Sequence, residues 1–422
     1  MPPVEILPQS FNFPFDFQDL PTPTYLVGGW VRDRLLQRQS RYLDLDFVLP
    51  QRAVETAQSI ARKYKAGFVV LDAERQIARV VFENGTADFA QQMGDRLEDD
   101  LGRRDFCMNA IALECHQPMS EEHFRNGELS EQLFDPFHGI DDLLAKRIRM
   151  IAPENLAEDP LRILRGYRQA AQLGFEMEPW TKQVAIKLAP KLKQVAAERI
   201  CTEISYLLST QLGSQLLLAA IQDGILEDWL PPQELNLPRF TQIDQAIATL
   251  LARFPNLDLF FSKTLAGDRQ ATIIVKLVAL THNANMLTPL GISRTEQRWA
   301  MSILRYLPQF IHLLNGASPQ AQYKLFQSTL EIFPAIATLA LASGHNLEAI
   351  SPWLAQWLNP HDPIAYPISL VTGDDLRQEL GIAPSPKLGE LLEMLRIAQV
   401  EGKITSKPEA IVLAKELFIK LE

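Results

Sequence analysis

The hydrophobic pattern of the chain changes once, and that change limits the folds it can adopt. From Tyr25 to about Leu113, short apolar runs of strand length alternate with one amphipathic segment of helical periodicity. After about Lys146, apolar residues recur three and four positions apart through nearly every segment. The pattern predicts one small domain, α/β or α+β, followed by a long string of helices.

Individual elements can be placed from the same pattern. The predicted strands cover residues 25–27, 43–49, 67–71, 77–82 and 86–89, and the predicted helix of this first domain covers residues 52–64. Later helical periodicity covers residues 160–173, 181–209, 213–223, 241–253, 271–281, 295–306 and 319–341. Prolines at positions 352, 360, 363 and 367 predict a break in the series of helices near the C-terminus. A last helical unit is expected from residue 373 to about 421.

Length and composition are those of a globular protein with several units. The 422 residues are too many for a single ordinary core, and 47% of them are hydrophobic and 22% charged. Cys107, Cys115 and Cys201 are too few and wrongly spaced for a zinc site or a disulfide framework, which favours a reducing compartment. Neither a signal peptide nor an apolar run of membrane length is evident. We therefore expect a cytoplasmic protein with no membrane partner.

The acidic balance of the chain hides a local cluster of arginines. The formal net charge is -10, which argues mildly against a nucleic-acid partner. Local patches rather than the total set phosphate binding. Several arginines fall within one stretch: Arg103, Arg104, Arg147, Arg149, Arg162, Arg165 and Arg168.

Two acids, Asp44 and Asp46, lie in the apolar run that predicts the second strand. Successive side chains of a strand point to opposite faces, so both carboxylates share one face. Two such carboxylates repel each other unless a cation lies between them, and oxygen ligands favour Mg²⁺ shared with substrate phosphates. Gly28 and Gly29 lie upstream, where glycine would let backbone amides approach phosphates closely. The pattern indicates metal-assisted chemistry on a nucleotide.

A second polar run contains Arg103, Arg104, Asp105 and Asn109, directly before an apolar stretch. A helix-capping aspartate with flanking arginines would explain the run without any function. The alternative places arginine at a phosphate or a ribose, with Asp105 accepting a hydrogen bond from a sugar hydroxyl.

A third run begins at Glu158 and starts a helix. Asp159 is a good N-cap, Pro160 suits the first turn, and Gly174 could end the helix. This structural reading does not explain three cations at three-residue spacing on one helix. They are Arg162, Arg165 and Arg168.

These runs, in this order, resemble the class II tRNA nucleotidyltransferase and poly(A) polymerase family over residues 25 to about 205. The match includes Gly-Gly-x-Val-Arg-Asp, Asp-x-Asp, Asp-Leu-x-Arg-Arg-Asp-Phe-x-x-Asn-Ala, Asp-Pro-Phe-x-Gly, Glu-Asp-x-x-Arg and Glu-Arg-Ile. The resemblance implies an α+β fold with a small mixed-sheet catalytic head followed by an all-helical neck, body and tail. The expected divisions are an arm at 1–24, the head at 25–146, the neck at 147–210, the body at 211–350, and a tail at 351–422 that would bind tRNA.

The resemblance also assigns roles to residues. Asp44 and Asp46 would bind two Mg²⁺ ions and be the catalytic acids. The residues implied at the nucleotide's phosphates and ribose are Gly28, Gly29, Arg32, Arg104, Asp105 and Asn109. Arg165 and Arg168 would contact the nucleotide or RNA.

Asp159 and Arg162 would read the base edge. The carboxylate can accept from the exocyclic amine of cytosine or adenine, and the guanidinium can donate to cytosine N3 or adenine N1. Uracil and guanine present the opposite groups at these positions. One Asp-Arg pair would therefore admit CTP and ATP and reject UTP and GTP without a template.

Other features leave alternatives open. Asp88 either lies near the metals as a third acid or caps the end of its strand. Glu74 and Arg75 are expected in a mobile loop of the head, which could reorganise between C and A addition. The run that contains Glu198 and Arg199, with lysines before it, reads on its own as a solvated helix face.

The expected activity is addition of C, A or both to the 3′-hydroxyl of a tRNA from CTP and ATP, with release of pyrophosphate. The motifs do not separate addition of CCA, CC only, or A only. A poly(A) polymerase shares the head, but strong basicity and long basic tails would favour it, and this chain has neither. A non-catalytic RNA-binding protein is the third alternative, and retention of both aspartates weighs against it. No protein partner is inferred.

Overall fold

The computed structural model describes residues 13–38, 42–115, 133–265, 269–381, 383 and 385–421. The chain divides into two compact units, Met1–Leu226 and Glu227–Glu422. The finer division into arm, head, neck, body and tail stays a prediction.

The first unit contains a seven-stranded sheet in its described residues, with the strand order β3-β4-β5-β2-β1-β6-β7. The β2 and β5 strands run parallel, and the other neighbours are antiparallel. The strands are β1 Tyr25–Val27, β2 Leu43–Leu49, β3 Gly67–Asp72, β4 Ile77–Phe82, β5 Gly85–Gln91, β6 Ala112–Glu114 and β7 Leu133–Phe134. The mixed sheet confirms the predicted α+β head, although β6 and β7 were not expected as strands.

One face of β2 is apolar and the other carries the two acids. Leu45 and Phe47 are fully buried, and the Phe47 ring stacks on Phe89 of β5 with centroids 5.0 Å apart. Phe15, from the described end of the predicted arm, packs on Phe47 at 5.7 Å. Alternation along β2 then turns Asp44 and Asp46 to the opposite face. Aromatic packing behind the sheet therefore supports the strand that carries the acids.

Short helices join these strands, and longer ones follow them. The helix predicted at 52–64 is α2, and the structure adds short α1 and α3 helices that the sequence pattern did not reveal. The helices of the first unit are α1 Gly29–Leu35, α2 Ala53–Tyr64, α3 Leu97–Leu101, α4 Gly139–Leu144, α5 Pro153–Glu158, α6 Leu161–Leu173, α7 Pro179–Leu188, α8 Ala197–Leu208 and α9 Gly213–Gln222. A 3-10 turn at Cys107–Asn109 precedes β6.

Two details differ from the predicted all-helical neck. A parallel strand pair forms between β8 Arg147–Ile148 and β9 Glu176–Met177. The helix expected over 181–209 is divided into α7 and α8 by a 3-10 segment, Ala189–Gln194. Pro190 lies in this segment, and a proline ring cannot continue an α-helix past its first turn. The predominantly helical character is confirmed.

The second unit is helical in its described residues. Its helices are α10 Leu237–Arg253, α11 Asp258–Phe261, α12 Ala271–Ala279, α13 Arg294–Leu313, α14 Pro319–Thr329, α15 Phe333–Ala342, α16 Leu347–Leu358, α17 Gly373–Leu380, α18 Pro386–Val400 and α19 Lys407–Leu421. The expected 319–341 helix is interrupted before Pro334. Pro352 lies inside α16, so the predicted break begins only after Leu358. Burial of Ile350, Trp353 and Leu354 on α16 compensates for the hydrogen bond that Pro352 cannot form.

Among the described residues, no single helix has the length and apolar character to cross a membrane. The consecutive helices α14 and α15, bent by 109°, meet those two criteria only as a pair.

All three cysteines are free and buried. Burial raises the pKa of the Cys107 thiol to about 12, which keeps it protonated and unreactive.

Candidate active site

One cavity in the first unit, of about 640 Å³, brings together every predicted site residue. The two glycines lie at the start of α1. Three of the acids come from β2 and β5, and three of the arginines come from α6. The lining includes Gly28, Gly29, Arg32, Asp44, Asp46, Asp88, Arg104, Asp105, Asn109, Asp159, Arg162, Arg165 and Arg168. The roles assigned to these residues stay predictions.

The acidic end of the cavity is built on the parallel pair β2 and β5. Asp46 lies opposite Asp88, and Asp44 lies opposite Thr86, whose hydroxyl donates to the Asp44 carboxylate at 2.7 Å. Arg79 of β4 lies opposite Asp88 and forms two hydrogen bonds with it, at 2.6 and 2.8 Å. Asp88 is therefore held by an arginine and faces the same cavity as the other two acids.

Burial disfavours the charged form of Asp46 more than its cationic neighbours favour it. Burial raises the pKa of Asp46 to about 6, with Arg104 opposing the shift and the charges of Asp44 and Asp88 adding to it. A divalent cation would remove this penalty, and carboxylate oxygens suit Mg²⁺. The donor set therefore fits a hard metal ion.

The protein does not supply a complete metal cage at this end. Among the described residues, no group of three or more His, Cys, Asp or Glu side chains could hold a metal ion by itself. The remaining ligands would have to come from substrate phosphates and water, as is usual for Mg²⁺.

Gly28 shows why this strand-helix turn needs glycine. Its φ is +78°, and a Cβ at this position would lie 2.9 Å from Asp46 Oδ2 and 3.3 Å from the Arg104 guanidinium. Any side chain would collide with the acid and strain the backbone. The backbone of the turn thus approaches the acidic end more closely than another residue would allow.

The centre of the cavity is a buried hydrogen-bond network. Arg32 donates to Asn109 Oδ1 at 3.0 Å, and Asn109 Nδ2 donates to both Asp105 and Gln169 at 2.9 Å. Arg165 donates to the other oxygen of Asp105 at 2.9 Å. The network joins α1, the Cys107–Asn109 turn and α6 into one rigid wall of the cavity.

Asp105 is occupied within this network. Burial would raise the pKa of Asp105, but the neighbouring charge of Arg165 and the hydrogen bonds from Asn109, Arg165 and the Phe106 amide hold it below its ordinary value. The carboxylate is ionised, and each of its oxygens has a protein donor. A ribose hydroxyl would have to share these oxygens with the protein donors.

The predicted base-reading pair does not form an ion pair in this structure. Asp159 pairs with Arg199 of α8 at 3.0 Å and accepts from the Leu161 amide at 3.3 Å. Arg162 donates to the backbone oxygens of Arg103 and Asn155 at 2.7 and 3.2 Å. Both side chains nevertheless line the cavity.

The other cations of α6 are also partnered. Arg165 bonds to Asp105, and Arg168 donates to Glu203 at 2.7 Å. Gly174 ends the helix with a φ of +69°, as predicted, while the helix itself begins one residue later than an Asp159 cap implies.

Sequence reasoning missed several residues of the cavity. Arg199 was interpreted as part of a solvated face, but it lines the cavity and holds Asp159. The Glu-Arg-Ile motif was the signal that could have placed it. Arg79 and Gln169 also line the cavity, and no motif pointed to either.

Comparison with known proteins gives consistent matches along the chain. Residues 24–149 match the model of the poly A polymerase head domain, residues 174–236 the RNA and SrmB-binding site of polymerase A, and residues 270–414 tRNA nucleotidyltransferase domain 2. The CC-adding tRNA nucleotidyltransferase of Synechocystis sp. is 44% identical over 96% of each chain. The CC-adding enzyme of Geobacter sulfurreducens is 30% identical, covering 92% of this chain and 90% of its own. The A-adding enzyme of Deinococcus radiodurans is 29% identical, covering 92% and 94%.

Solved structures show the same fold. A Thermotoga maritima CCA-adding enzyme in complex with tRNA superposes with a TM-score of 0.71 at 20% identity, covering 95% of this chain and 92% of that one. A CCA-adding enzyme with ATP gives a TM-score of 0.73 at 21% identity, with the same coverage.

The sheet, its paired acids and the arginine-lined cavity define an enzyme that transfers nucleotides. The chain belongs to the tRNA nucleotidyltransferase and poly(A) polymerase family. Enzymes of this family use divalent metal ions.

Proposed function

We propose that this chain adds two cytidines from CTP to the 3′ end of tRNA and then stops. The general reaction, extension of a tRNA 3′ end with C, A or both without a template, follows from its family. The identity of 44% over 96% of the chain with a CC-adding enzyme is the observation that carries the finer proposal.

The turn between β3 and β4 also supports CC addition. Only residues 73–76 join the two strands, and the Asp72 carboxylate accepts hydrogen bonds from the Glu74 and Arg75 amides at 3.0 Å. The loop that carries Glu74 and Arg75 is therefore a short turn closed by two hydrogen bonds. Cytosine and adenine place their reading edges at different distances from the sugar, so accepting both in sequence needs a movable element. This turn does not provide one.

In the proposed mechanism, Asp44 and Asp46 would hold two Mg²⁺ ions. When bound, they would supply charge neutralisation on the triphosphate and activation of the RNA 3′-hydroxyl. Gly28, Gly29 and Arg32 would position the triphosphate in line with the 3′-hydroxyl.

Arg104, Asp105 and Asn109 would hold the ribose, and Asp159 with Arg162 would read cytosine. The 3′-hydroxyl loses its proton to water, and its oxygen bonds to the α-phosphorus. The bond from that phosphorus to the bridging oxygen breaks, and pyrophosphate leaves. Catalysis comes mainly from positioning and from charge stabilisation. Arg165 and Arg168 would hold Asp105 and Glu203 in place and contact RNA or nucleotide from the same helix. Asp88 is proposed to act through Arg79 rather than as a metal ligand.

Product analysis tests the proposal. Radiolabelled CTP or ATP is offered separately to tRNAs that end in the discriminator base, in C, or in CC. From CTP we expect two additions to the tRNA that ends in the discriminator base, one to the tRNA that ends in C, and none to the tRNA that ends in CC. From ATP we expect no addition to the tRNA that ends in CC. The Asp46→Asn variant, purified in the same way, controls for contaminating host enzyme.

Other products would contradict CC addition in distinct ways. Addition of A to the tRNA ending in CC would indicate a CCA-adding or A-adding enzyme. Elongation of an unstructured RNA with many A residues would indicate a poly(A) polymerase. Undiminished activity in excess EDTA would contradict the two-metal mechanism.

A further inference from the structure

Gln169 of α6 is buried in the wall of the cavity and has no role in the mechanism above. Its side chain is 2% exposed, and it lines the cavity next to the central network. Its Oε1 accepts a hydrogen bond from Asn109 Nδ2 at 2.9 Å. A polar side chain at such a place is either fully satisfied by the protein or presents a group to a ligand.

The network determines which way the Gln169 amide points. Asn109 Oδ1 accepts from the Arg32 guanidinium, and Asn109 Nδ2 donates to the Asp105 carboxylate. Exchanging the two amide atoms of Asn109 would set N–H against a guanidinium and an oxygen against a carboxylate. Asn109 therefore donates to Gln169, Oε1 of Gln169 is the acceptor, and Nε2 points the other way.

Nε2 of Gln169 makes no hydrogen bond within the part of the chain that the structure describes. This nitrogen is not one of the fully buried polar atoms without a partner, so it opens onto the cavity that Gln169 lines. An oxygen atom of a ligand in the cavity could therefore accept its hydrogen bond.

We propose that Gln169 is a substrate-contacting residue whose amide donates to a sugar hydroxyl of the bound nucleotide. This inference rests on the proposed function. Gln169 adjoins Asn109 and, through it, Asp105, which are the residues proposed to hold the ribose. Phosphate oxygens would have Arg32 as a charged partner, whereas a neutral amide suits a neutral hydroxyl oxygen.

The test measures nucleotide binding by calorimetry, with Mg²⁺ present and RNA absent so that no turnover occurs. The full chain and its Gln169→Met variant are titrated with CTP and with 2′,3′-dideoxy-CTP, which lacks both hydroxyls. We expect the variant to bind CTP about five- to tenfold more weakly, the effect of losing one hydrogen bond. Both proteins should bind dideoxy-CTP equally, because the acceptor is then missing.

Two further variants distinguish a direct contact between Gln169 and the nucleotide from an indirect effect on the structure of the protein. Gln222→Met is the matched control, because Gln222 is an exposed helical glutamine at the end of α9 and does not line the cavity. It should bind CTP like the unchanged protein. Gln169→Glu keeps an oxygen for Asn109 and removes the donor. Its negative charge should weaken CTP and dideoxy-CTP alike, so only an additional loss for CTP supports the contact.

The outcomes distinguish this inference from the proposed function. Equal weakening for CTP and dideoxy-CTP in Gln169→Met, or no weakening at all, overturns the contact. Failure of the unchanged protein to bind CTP overturns both proposals. A selective loss for CTP combined with A addition in the product assay supports the contact and overturns CC addition alone.

Discussion

The two ends of the cavity treat charge differently. At the sheet end, Asp44, Asp46 and Asp88 face one space, and the pKa of Asp46 is raised to about 6 by burial and by its acidic neighbours. At the helix end, each charged side chain is tied to a protein partner, as in the pairs Asp105–Arg165 and Asp159–Arg199.

Because of this difference, a ligand is expected to have different effects at the two ends of the cavity. At the sheet end, Arg79 and Arg104 do not fully offset the burial of Asp46 and the charges of the neighbouring acids, so a metal ion would stabilise this end. At the helix end, the charged side chains already have protein partners without a ligand. Asp159 must therefore break its ion pair with Arg199 before it can bind a base edge. Binding at the sheet end relieves repulsion, whereas binding at the helix end replaces one set of hydrogen bonds with another.

The largest effect is expected from Asp46→Asn. Loss of a metal-binding carboxylate should lower the rate of CTP incorporation by about a thousandfold or more. Stability without metal should not fall, because the substitution removes repulsion among three acids. Incorporation assays and thermal unfolding in EDTA measure the two effects. A clear drop in unfolding temperature would show that the sheet end is not destabilised by its acids.

Asp105→Asn tests the helix end of the cavity, where the charged side chains have protein partners. Breaking a buried, hydrogen-bonded pair with the partly exposed Arg165 should cost about 2 kcal/mol of unfolding free energy. Because the pKa of Asp105 is lowered on folding, its stabilisation is present above the unfolded pKa and is lost as pH falls through the folded pKa. The stability gap between variant and unchanged protein should therefore close in acid. Urea titrations from pH 7 to pH 3 measure the difference in unfolding free energy between the two proteins. A difference that does not change with pH would show that the ionised Asp105 carboxylate does not account for it.

Asp159→Ala and Arg162→Ala test base reading. Each should reduce the preference for CTP over UTP by about tenfold, the discrimination that one base-edge contact supplies. Competition assays with both nucleotides give the ratio directly. Unchanged nucleotide choice in both variants would rule out the base-reading role.

The smallest effect is expected from Arg199→Met. The Asp159–Arg199 pair is partly exposed, so its loss should cost under about 1 kcal/mol of stability. The KM for CTP should fall or stay the same, because Asp159 no longer has to leave a protein partner. A marked rise in KM would mean that Arg199 itself binds the nucleotide.

Much of the head could be predicted because its signals are local. Alternating apolar residues fixed β1, β2 and β4 to the residue, and the period of two placed Asp44 and Asp46 on one face. The strands β6 and β7 span three and two residues, which is too short for alternation to be recognised. The α1 helix begins at Gly29, a residue that does not signal a helix.

The composition of the cavity could be predicted, but its pairings could not. Motifs brought Asp159 and Arg162 together on spacing alone, yet Asp159 pairs with Arg199, which lies 40 residues later in the chain. Gln169 is adjacent to Arg168 in sequence, but only the packing of α6 on the Cys107–Asn109 turn gives it Asn109 as a neighbour. Such contacts depend on tertiary packing, which no local pattern encodes.

The single parallel pairing in the sheet has a consequence for how the protein is made. The β3, β4 and β5 strands form a meander of short connections that can assemble early during folding. Asp44 and Thr86 are 42 positions apart in the chain, and the β3 and β4 strands of the meander lie between them. Contacts between distant parts of a chain close slowly. Asp88 should therefore join Asp44 and Asp46 late, so the acidic end of the cavity would be complete only once β2 has paired with β5.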